Sequence, residues 1–497
     1  MKQKKKSLKK LHMVLMLFSG IFLCAHYSPA AEMLTLERAI EIAMENSPSI
    51  KRVELRLIQS TENLNARMAS LKSNFSLSLN PFRYSSNRTF DDFYSVWNTN
   101  ETTSSSGTFR ISQPIKETDG VLSLVNTLSW QEAYSEFRDS RTKTFDNNLY
   151  LRFDQPIFTY NQTKMDLEEL ELDIENSGYN YAIQKLSLEN GITQSFYSVY
   201  RAKMNLEITL NALKNSEESF TIQKNKVDAG LLPTEELYQA ELNLANSQLS
   251  VQNSRQSLEN SLDNFKLQLG ISIYDSIDVE TDITHKVIEV DLDKALNNGL
   301  KTRMELRQAE MDIQQAVNNV TRAAAQNEFE GNVQLSYGII GTNENFGNVY
   351  DKPTNSGTVN LTLTIPLWDW GEKAARMKVA EAGVESAELS REDERNNMIV
   401  AIRSAHRNLQ NLVSQIEIER QNVRNAQLTY NINLERYKNG DLTSLDLSLI
   451  QNQLTSANQS ELRSLIEYKI ALLNMKILAL WDFVNNEPVI PENIIER

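Results

Sequence analysis

Few side chains in this chain are suited to chemistry, and none stands in a spacing that would make them act together. Beyond the N-terminal leader there are two histidines, His285 and His406. Neither belongs to an HExxH pattern, the spacing that sets two imidazoles and a general base on one helix face to hold zinc. Each reads as a satisfied surface histidine. Cys24 is the only cysteine, so a thiol nucleophile, a disulfide framework and cysteine-type zinc sites are removed together. There is no GxxxxGK[ST] loop to cradle a phosphate, no GxGxxG after a strand and no GxSxG elbow. The acidic run Glu392-Asp393-Glu394 falls in a helical stretch and reads as a solvated face. No enzymatic activity, cofactor or metal is expected, and energy for any work must come from a partner.

The N-terminus sets the compartment. Six lysines among Lys2 to Lys10 precede the apolar run Leu11 to Ala25 and the small residues Ser28-Pro29-Ala30-Ala31, the order of a secretory signal peptide over 1–31. At about fifteen residues the run falls short of the roughly 20 that an α-helix needs to cross a bilayer. Leu23, just before Cys24, argues against lipid anchoring, which favours a small residue there. Removing the leader takes six of the 51 basic residues and none of the 65 acidic ones. So acidic a product is a poor partner for nucleic acid. With 16 Gly and 10 Pro in 497 residues, helix breakers are scarce and most of the chain is predicted helical.

The chain is written twice. Residues 36–80 match 292–336 at a constant offset, pairing Leu36 with Leu292, Ala39 with Ala295, Ile50 with Leu306, Leu77 with Val333 and Leu79 with Leu335. Later parts match at a smaller offset, Pro156 with Pro366, Gly230 with Gly440, Leu232 with Leu442 and Leu237 with Leu447. The change of offset places an insertion in the first copy between Leu79 and Pro156. The repeats are read as 32–291, with a linker over 270–291, and 292–484, followed by a tail over 485–497.

Two periodicities divide each copy. Apolar residues recur every seven positions along Leu206, Leu213, Phe220 and Val227, and along Ile416, Val423, Tyr430 and Tyr437. Past the turns the spacing continues through Leu237, Leu244, Val251, Leu258 and Phe265, and through Leu447, Leu454, Glu461, Tyr468 and Met475, where Glu461 is the one break. Such spacing builds left-handed coiled coils, whose seams need partner helices. The first long helix, from about residue 161 to 227, would be roughly 100 Å long at 1.5 Å per residue.

Between the helices the period falls to two. Phe75, Leu77 and Leu79, then Leu149, Leu151 and Phe153, then Val333, Leu335 and Tyr337, then Val359, Leu361, Leu363 and Ile365 alternate with polar neighbours. This predicts strands near 74–84, 146–157, 332–341 and 357–367, each about the 9–11 residues of a transmembrane β-strand. Four strands cannot close a barrel, and open edges are not tolerated in lipid. The fold class is therefore a mixed α+β membrane protein, internally duplicated, with a long coiled-coil helical tunnel and a β-barrel completed by other copies of the chain.

The duplicated helix-strand-strand-helix-helix plan, with Pro156 and Pro366 ending strands and paired glycine turns between long helices, resembles the TolC-like outer membrane efflux protein family from about Leu34 to Phe483. The resemblance implies a homotrimer with a twelve-stranded barrel in outer-membrane lipid and a large periplasmic part. It also implies a passive conduit for efflux or type I secretion that works with a periplasmic adaptor protein and an inner-membrane transporter. The rival reading is a periplasmic adaptor-type coiled-coil scaffold without a pore, which leaves the amphipathic strands unexplained.

The glycine turns occupy Lys226 to Leu237 and Arg436 to Leu447. Glycine suits the left-handed end of one helix, and Thr443 with Asp446 can form a capping box opening the next. By the resemblance, Gly230, Leu232, Gly440 and Leu442 shape adaptor-docking knobs, while Glu236, Tyr437 and Asp446 lie near a periplasmic gate. The family's arginine two residues after the second glycine is Leu442 here, so its ion pair with Glu236 cannot form. Lys226, Arg436 and Lys438 are near enough in sequence to substitute, and Tyr437 is expected to form a hydrogen-bonding constriction. The insertion over 85–145 carries its own alternation, Phe109 and Ile111, then Leu122, Leu124, Leu128 and Trp130 around Asp119-Gly120, and Gln113-Pro114-Ile115 echoes Gln155-Pro156-Ile157. It is read as a β-hairpin in an external loop in preference to two further barrel strands.

Overall fold

The computed structural model describes residues 32–280 and 287–489. The signal peptide, His285 and the end of the tail lie outside the described residues. Two compact units are present. Among the described residues one holds 32–51, 184–280, 287–301 and 400–489, the other 52–183 and 302–399.

The chain begins with β1 (Glu32–Leu34), α1 (Leu36–Asn46) and α2 (Pro48–Ser70), followed by β2 (Asn74–Asp91), β3 (Val96–Ile115), β4 (Gly120–Ser135) and β5 (Ser140–Ile157). The long helices α3 (Gln162–Asp228) and α4 (Thr234–Leu269) follow, then β6 (Ile277–Val279), α5 (Leu292–Thr302), α6 (Met304–Ala325), β7 (Glu330–Asn343) and β8 (Thr354–Thr364). The second long pair is α7 (Glu372–Asn439) and α8 (Ser444–Ala479), and the short β9 (Trp481–Asp482) and β10 (Glu487–Pro488) close the described chain.

In the helical unit the duplication is visible in packing. Thr35 caps α1 by accepting a hydrogen bond from the Arg38 amide, which satisfies one of the donors a helix start leaves open. Ala39 and Ala43, one turn apart, are fully buried. Their counterparts in α5 are Ala295 and Gly299, and a Cβ on Gly299 would crowd the Ile402 side chain and the Leu478 carbonyl. Small residues at that spacing let neighbouring elements approach closely. β1 pairs in parallel with β6, Leu34 opposite Val279, and both join a core with Ile192, Phe196, Val199, Phe265, Leu269 and Ile466. Glu461, the break in the heptad, lies 3.5 Å from Arg420 Nε. His406 Nε2 donates to the Val290 carbonyl at 3.1 Å, so it is a bonded structural residue.

The other unit carries a correction. Its sheet has six strands in the order β2-β3-β4-β5-β7-β8, every neighbouring pair antiparallel. The insertion is not an external loop. Its two strands lie between β2 and β5, and they extend both neighbours past the expected ends, since β2 now runs to Asp91 and β5 starts at Ser140.

Register explains why the sheet accepts the hairpin. Residues directly opposite in an antiparallel pair share a face. Leu77 lies opposite Phe109, Ile111 opposite Leu124, Leu124 opposite Leu151, Leu151 opposite Tyr337, and Leu335 opposite Val359. One apolar face therefore crosses all six strands, and shifting the hairpin by one residue would turn its apolar set to the polar side. That other face carries Ser76, Arg110, Ser123, Arg152, Ser336 and Thr358. Gly338 is obligatory where β7 crosses β5, because a Cβ there would overlap the Leu149 carbonyl and Tyr150.

The turn joining β3 to β4 is tied to the helices. Asp119 accepts from the Gln162 and Thr163 amides at 2.6 and 3.0 Å, capping α3 from outside its own sequence, and Asn161 Nδ2 donates to the Lys116 carbonyl at 2.8 Å. The two Gln-Pro-Ile segments do the same work twice: Gln113 Nε2 donates to the Leu71 carbonyl at 2.9 Å and Gln155 Nε2 to the Thr118 carbonyl at 2.7 Å. Asp119→Ala removes a helix cap worth about 1 kcal/mol. Amide exchange over the first turn of α3 is expected to quicken about fivefold, with the rest of the sheet unchanged; equal rates in the two proteins would show that the cap is idle.

Candidate functional site

The two long helical hairpins turn by the same device. The Gly230 amide donates to the Val227 carbonyl and the Leu231 amide to the Lys226 carbonyl, both at 2.9 Å; the Gly440 and Asp441 amides bond Tyr437 and Arg436 at 3.1 and 2.9 Å. This pair of bonds closes a helix through a residue at positive φ. Gly230 and Gly440 have φ of 72° and 92°, a region that favours glycine.

The starts of the second helices have diverged. In the second copy Thr443 accepts from the Asp446 amide at 3.2 Å and donates its hydroxyl to the Asp446 carboxylate at 2.7 Å. In the first copy Pro233 stands where Thr443 does, and it has no side chain to cap with. Glu236, the counterpart of Asp446, is thereby released. It reaches the other hairpin and accepts from the Ser444 amide at 3.2 Å, placing a carboxylate at the positive N-terminus of α8.

Lys226 makes the complementary bond. Its Nζ donates to the Tyr437 carbonyl at 2.6 Å and stands 5.4 Å from the centre of the Tyr437 ring, so a cation meets the C-terminal end of α7. The first copy thus supplies both charged groups that finish the helix ends of the second. Of the three basic residues expected to replace the missing arginine, Lys226 bonds the second hairpin's backbone. Lys438 pairs with Glu435 and, at 3.5 Å, with Glu218, while Arg436 reaches Asn433 on its own helix.

Tyr437 is held from within its own chain. Its side chain is buried at 1% exposure, and its hydroxyl donates to Gln223 Oε1 at 2.8 Å. Gln223 Nε2 in turn donates to Glu236 Oε2 at 3.0 Å. Within one chain the ring lies in the seam between the two hairpins. Leu442 packs against the same cluster, which includes Tyr430, Leu447 and Leu454. Leu232 is half-buried, Asp446 is exposed, and both glycines are exposed.

Gln223 was not legible as a site residue. The heptad reading favoured Leu206, Leu213, Phe220 and Val227, which are half-buried. The buried row is Ala202, Thr209, Ser216 and Gln223, also seven apart. Its polar members answer the second copy: Gln451 Nε2 donates to the Ala212 carbonyl and to Ser216 Oγ at 2.7 and 3.2 Å. The signal available in sequence was a polar row at the same period as the apolar one.

Family comparison agrees with this arrangement. Residues 295–478 match the family described as outer membrane efflux protein, which takes in most of the second copy, and the first copy repeats the same elements. The second copy is thus similar to the outer membrane efflux protein family. The chain shares its fold with the Campylobacter jejuni CmeC outer membrane channel, at 15% identity and a TM-score of 0.68 over 93% of this chain and 88% of that one. It is similarly related to the outer membrane protein VceC of Vibrio cholerae, at 16% identity and a TM-score of 0.67 over 89% and 96% of the two chains. The open state of the Neisseria gonorrhoeae MtrE outer membrane channel matches at 15% and 0.64 over 89% and 88%. At such identities the likeness is one of fold. A search of curated proteins finds no match to the sequence.

Two tyrosines of the seam allow a clean test. Burial raises the hydroxyl of each to about 12 from the model-peptide 10.0, but Tyr430 Oη is buried without a hydrogen-bond partner while Tyr437 has one. Tyr437→Phe is expected to cost about 1 kcal/mol and Tyr430→Phe nothing, read as a five- to tenfold rise in amide exchange over 436–447 in the first variant alone. Glu236→Gln keeps an acceptor oxygen and should resemble wild type, whereas Glu236→Ala should not. Because the raised value favours the neutral tyrosine, this stabilisation is complete below pH 10 and is lost as pH rises toward 12. Equal effects of both Phe variants would assign the seam to ring packing only.

Proposed function

We propose that this chain is the outer-membrane channel subunit of a tripartite efflux or type I secretion assembly, a passive homotrimeric conduit from periplasm to exterior. The observation that carries the reading is the apolar face running unbroken across six antiparallel strands. Phe75, Leu77, Leu79 and Val359 are each more than 60% exposed on it. A free chain in water would not leave so large an apolar belt uncovered; hydrocarbon satisfies it, and the polar face with Arg110 and Arg152 turns to a wet lumen. Among the described residues no helix is long and apolar enough to cross a membrane. A pore-free adaptor offers no use for such a belt.

The helical hairpin turns are the natural periplasmic entrance. Gly230, Leu232, Gly440 and Leu442 would present the knobs on which a periplasmic adaptor docks, and the Tyr437, Gln223 and Glu236 seam would hold the two hairpins of each chain together until docking separates them. The inner-membrane transporter supplies the energy. Tyr437→Phe is expected to raise resting conductance in planar bilayers and Glu236→Gln to leave it nearly unchanged.

Topology follows from the sheet. The β3–β4 turn lies at the helix end, and the turns at 92–95 and 136–139 at the other. In intact cells of the Cys24→Ser protein, a membrane-impermeant thiol reagent should label Arg138→Cys, and should label Glu117→Cys only after the outer membrane is permeabilised. Labelling in the reverse order, or recovery of the protein in the soluble periplasmic fraction, would overturn the reading.

A further inference from the structure

The inserted hairpin adds two strands to the sheet. Three observations bear on it. First, β4 is paired with β3 along its whole length, Ile115 opposite Gly120 through Asn100 opposite Ser135, and the two strands separate β2 from β5. Second, the hairpin continues both faces of the sheet, Ile111 and Leu124 on the apolar side and Arg110 and Ser123 on the polar side. Third, β3 is a second copy of β5. Phe109-Arg110-Ile111-Ser112-Gln113-Pro114-Ile115 matches Leu151-Arg152-Phe153-Asp154-Gln155-Pro156-Ile157 position by position, and both glutamines bond the preceding turn in the same way.

The free edges say what lies beside them. Among the described residues β2 and β8 each have one strand partner within the chain, so each presents an edge of amides and carbonyls that hydrocarbon cannot satisfy. Because every step across the six strands is antiparallel, β2 and β8 run in opposite directions. The β2 edge of one copy can therefore pair antiparallel with the β8 edge of the next, head to tail, and such a contact closes into a ring.

We propose that three copies close an eighteen-stranded barrel through β2 to β8 pairing, in place of the twelve strands that four per chain would give, with Arg110 and Arg152 of each copy on the lumen wall. With strands about 4.8 Å apart and tilted about 40°, the backbone diameter grows from about 24 Å to about 36 Å. Arg152 is held by Asp154, Nε to Oδ2 at 2.7 Å and Nη2 to Oδ1 at 2.8 Å, whereas Ser112 stands where Asp154 does beside Arg110. The added hairpin thus widens the barrel and adds a lumenal cation without a carboxylate at the matching position, giving the wall an anion-favouring ring.

This rests on the channel reading above, and the test separates the two. In the Cys24→Ser protein, cysteines placed in β2 at Ser76, Ser78 or Asn80 are combined with cysteines in β8 at Thr358, Asn360 or Thr362, and the membranes are oxidised. All six positions lie on the polar face, which closure must keep continuous. Dimers and trimers on a non-reducing gel in at least one combination are expected, together with a mass of three chains in detergent. A cysteine at Ser76 or Ser78 that links instead to one at Tyr150 or Arg152 of the same chain would mean that the hairpin lies outside a twelve-stranded barrel, and would overturn the proposal while sparing the trimer. A trimer by mass with neither link overturns it as well. A folded monomer in detergent would overturn the channel reading itself.

Discussion

A polypeptide in hydrocarbon must satisfy each backbone amide and carbonyl from within, and the rest of this structure answers to that demand. A six-stranded sheet meets it everywhere except at the two edges. Those edges cannot be folded away by the chain itself, because the six strands between and including β2 and β8 are fewer than the about eight from which a barrel closes around its interior side chains. The helices inherit the consequence: whatever symmetry closes the sheet is imposed on α3 and α7, whose chains continue directly from it. Asp119 makes that continuity rigid at one point, since the same residue ends a β-turn and caps a helix.

Duplication supplied the parts and divergence made them cooperate. Two identical hairpins would each cap themselves and have no chemical reason to associate at the tips. Here Pro233 replaces a capping threonine, and the carboxylate freed by that change is spent on the neighbouring hairpin through Ser444. Lys226 does the same at the opposite helix end. One copy has given up local satisfaction so that the other copy completes it, and the tips of one chain become a unit.

Much of this was legible in sequence because it depends on period. The heptads, the alternation and the paired glycines each follow from a geometry repeated many times, so single exceptions do not hide them. The register of the inserted hairpin was legible too, in Phe109, Ile111, Leu122 and Leu124, but its place was not. Alternation says that a segment has two faces without saying which strand lies beside it, and an external hairpin alternates as a barrel strand does. The repeated Gln-Pro-Ile was the decisive sign. Proline ends three descending strands, at Pro114, Pro156 and Pro366, and a loop outside the membrane has no reason to copy the end of a strand that meets a helix. Gln223 escaped for the opposite reason. A buried polar residue matters through its partner, and the partner, Tyr437, is more than two hundred positions away.

The character of the seam is suited to an entrance that opens. Near β1 and β6 the helices are joined by Phe196, Phe265 and Leu269, each fully or almost fully buried, where burying one such side chain contributes about 1.5–3 kcal/mol. Toward the turns the first copy offers Thr209, Ser216 and Gln223 instead. Each hydrogen bond there contributes only about 0.5–1.5 kcal/mol net, because water is a nearly equal partner once the seam parts. An apolar seam would expose hydrocarbon on opening and would resist it; a polar one exchanges one set of hydrogen bonds for another. The seam near the turns is thus polar on its first-copy side and apolar on its second-copy side, where Tyr437, Leu447 and Leu454 are buried, and it is the polar side that lowers the cost of local opening there.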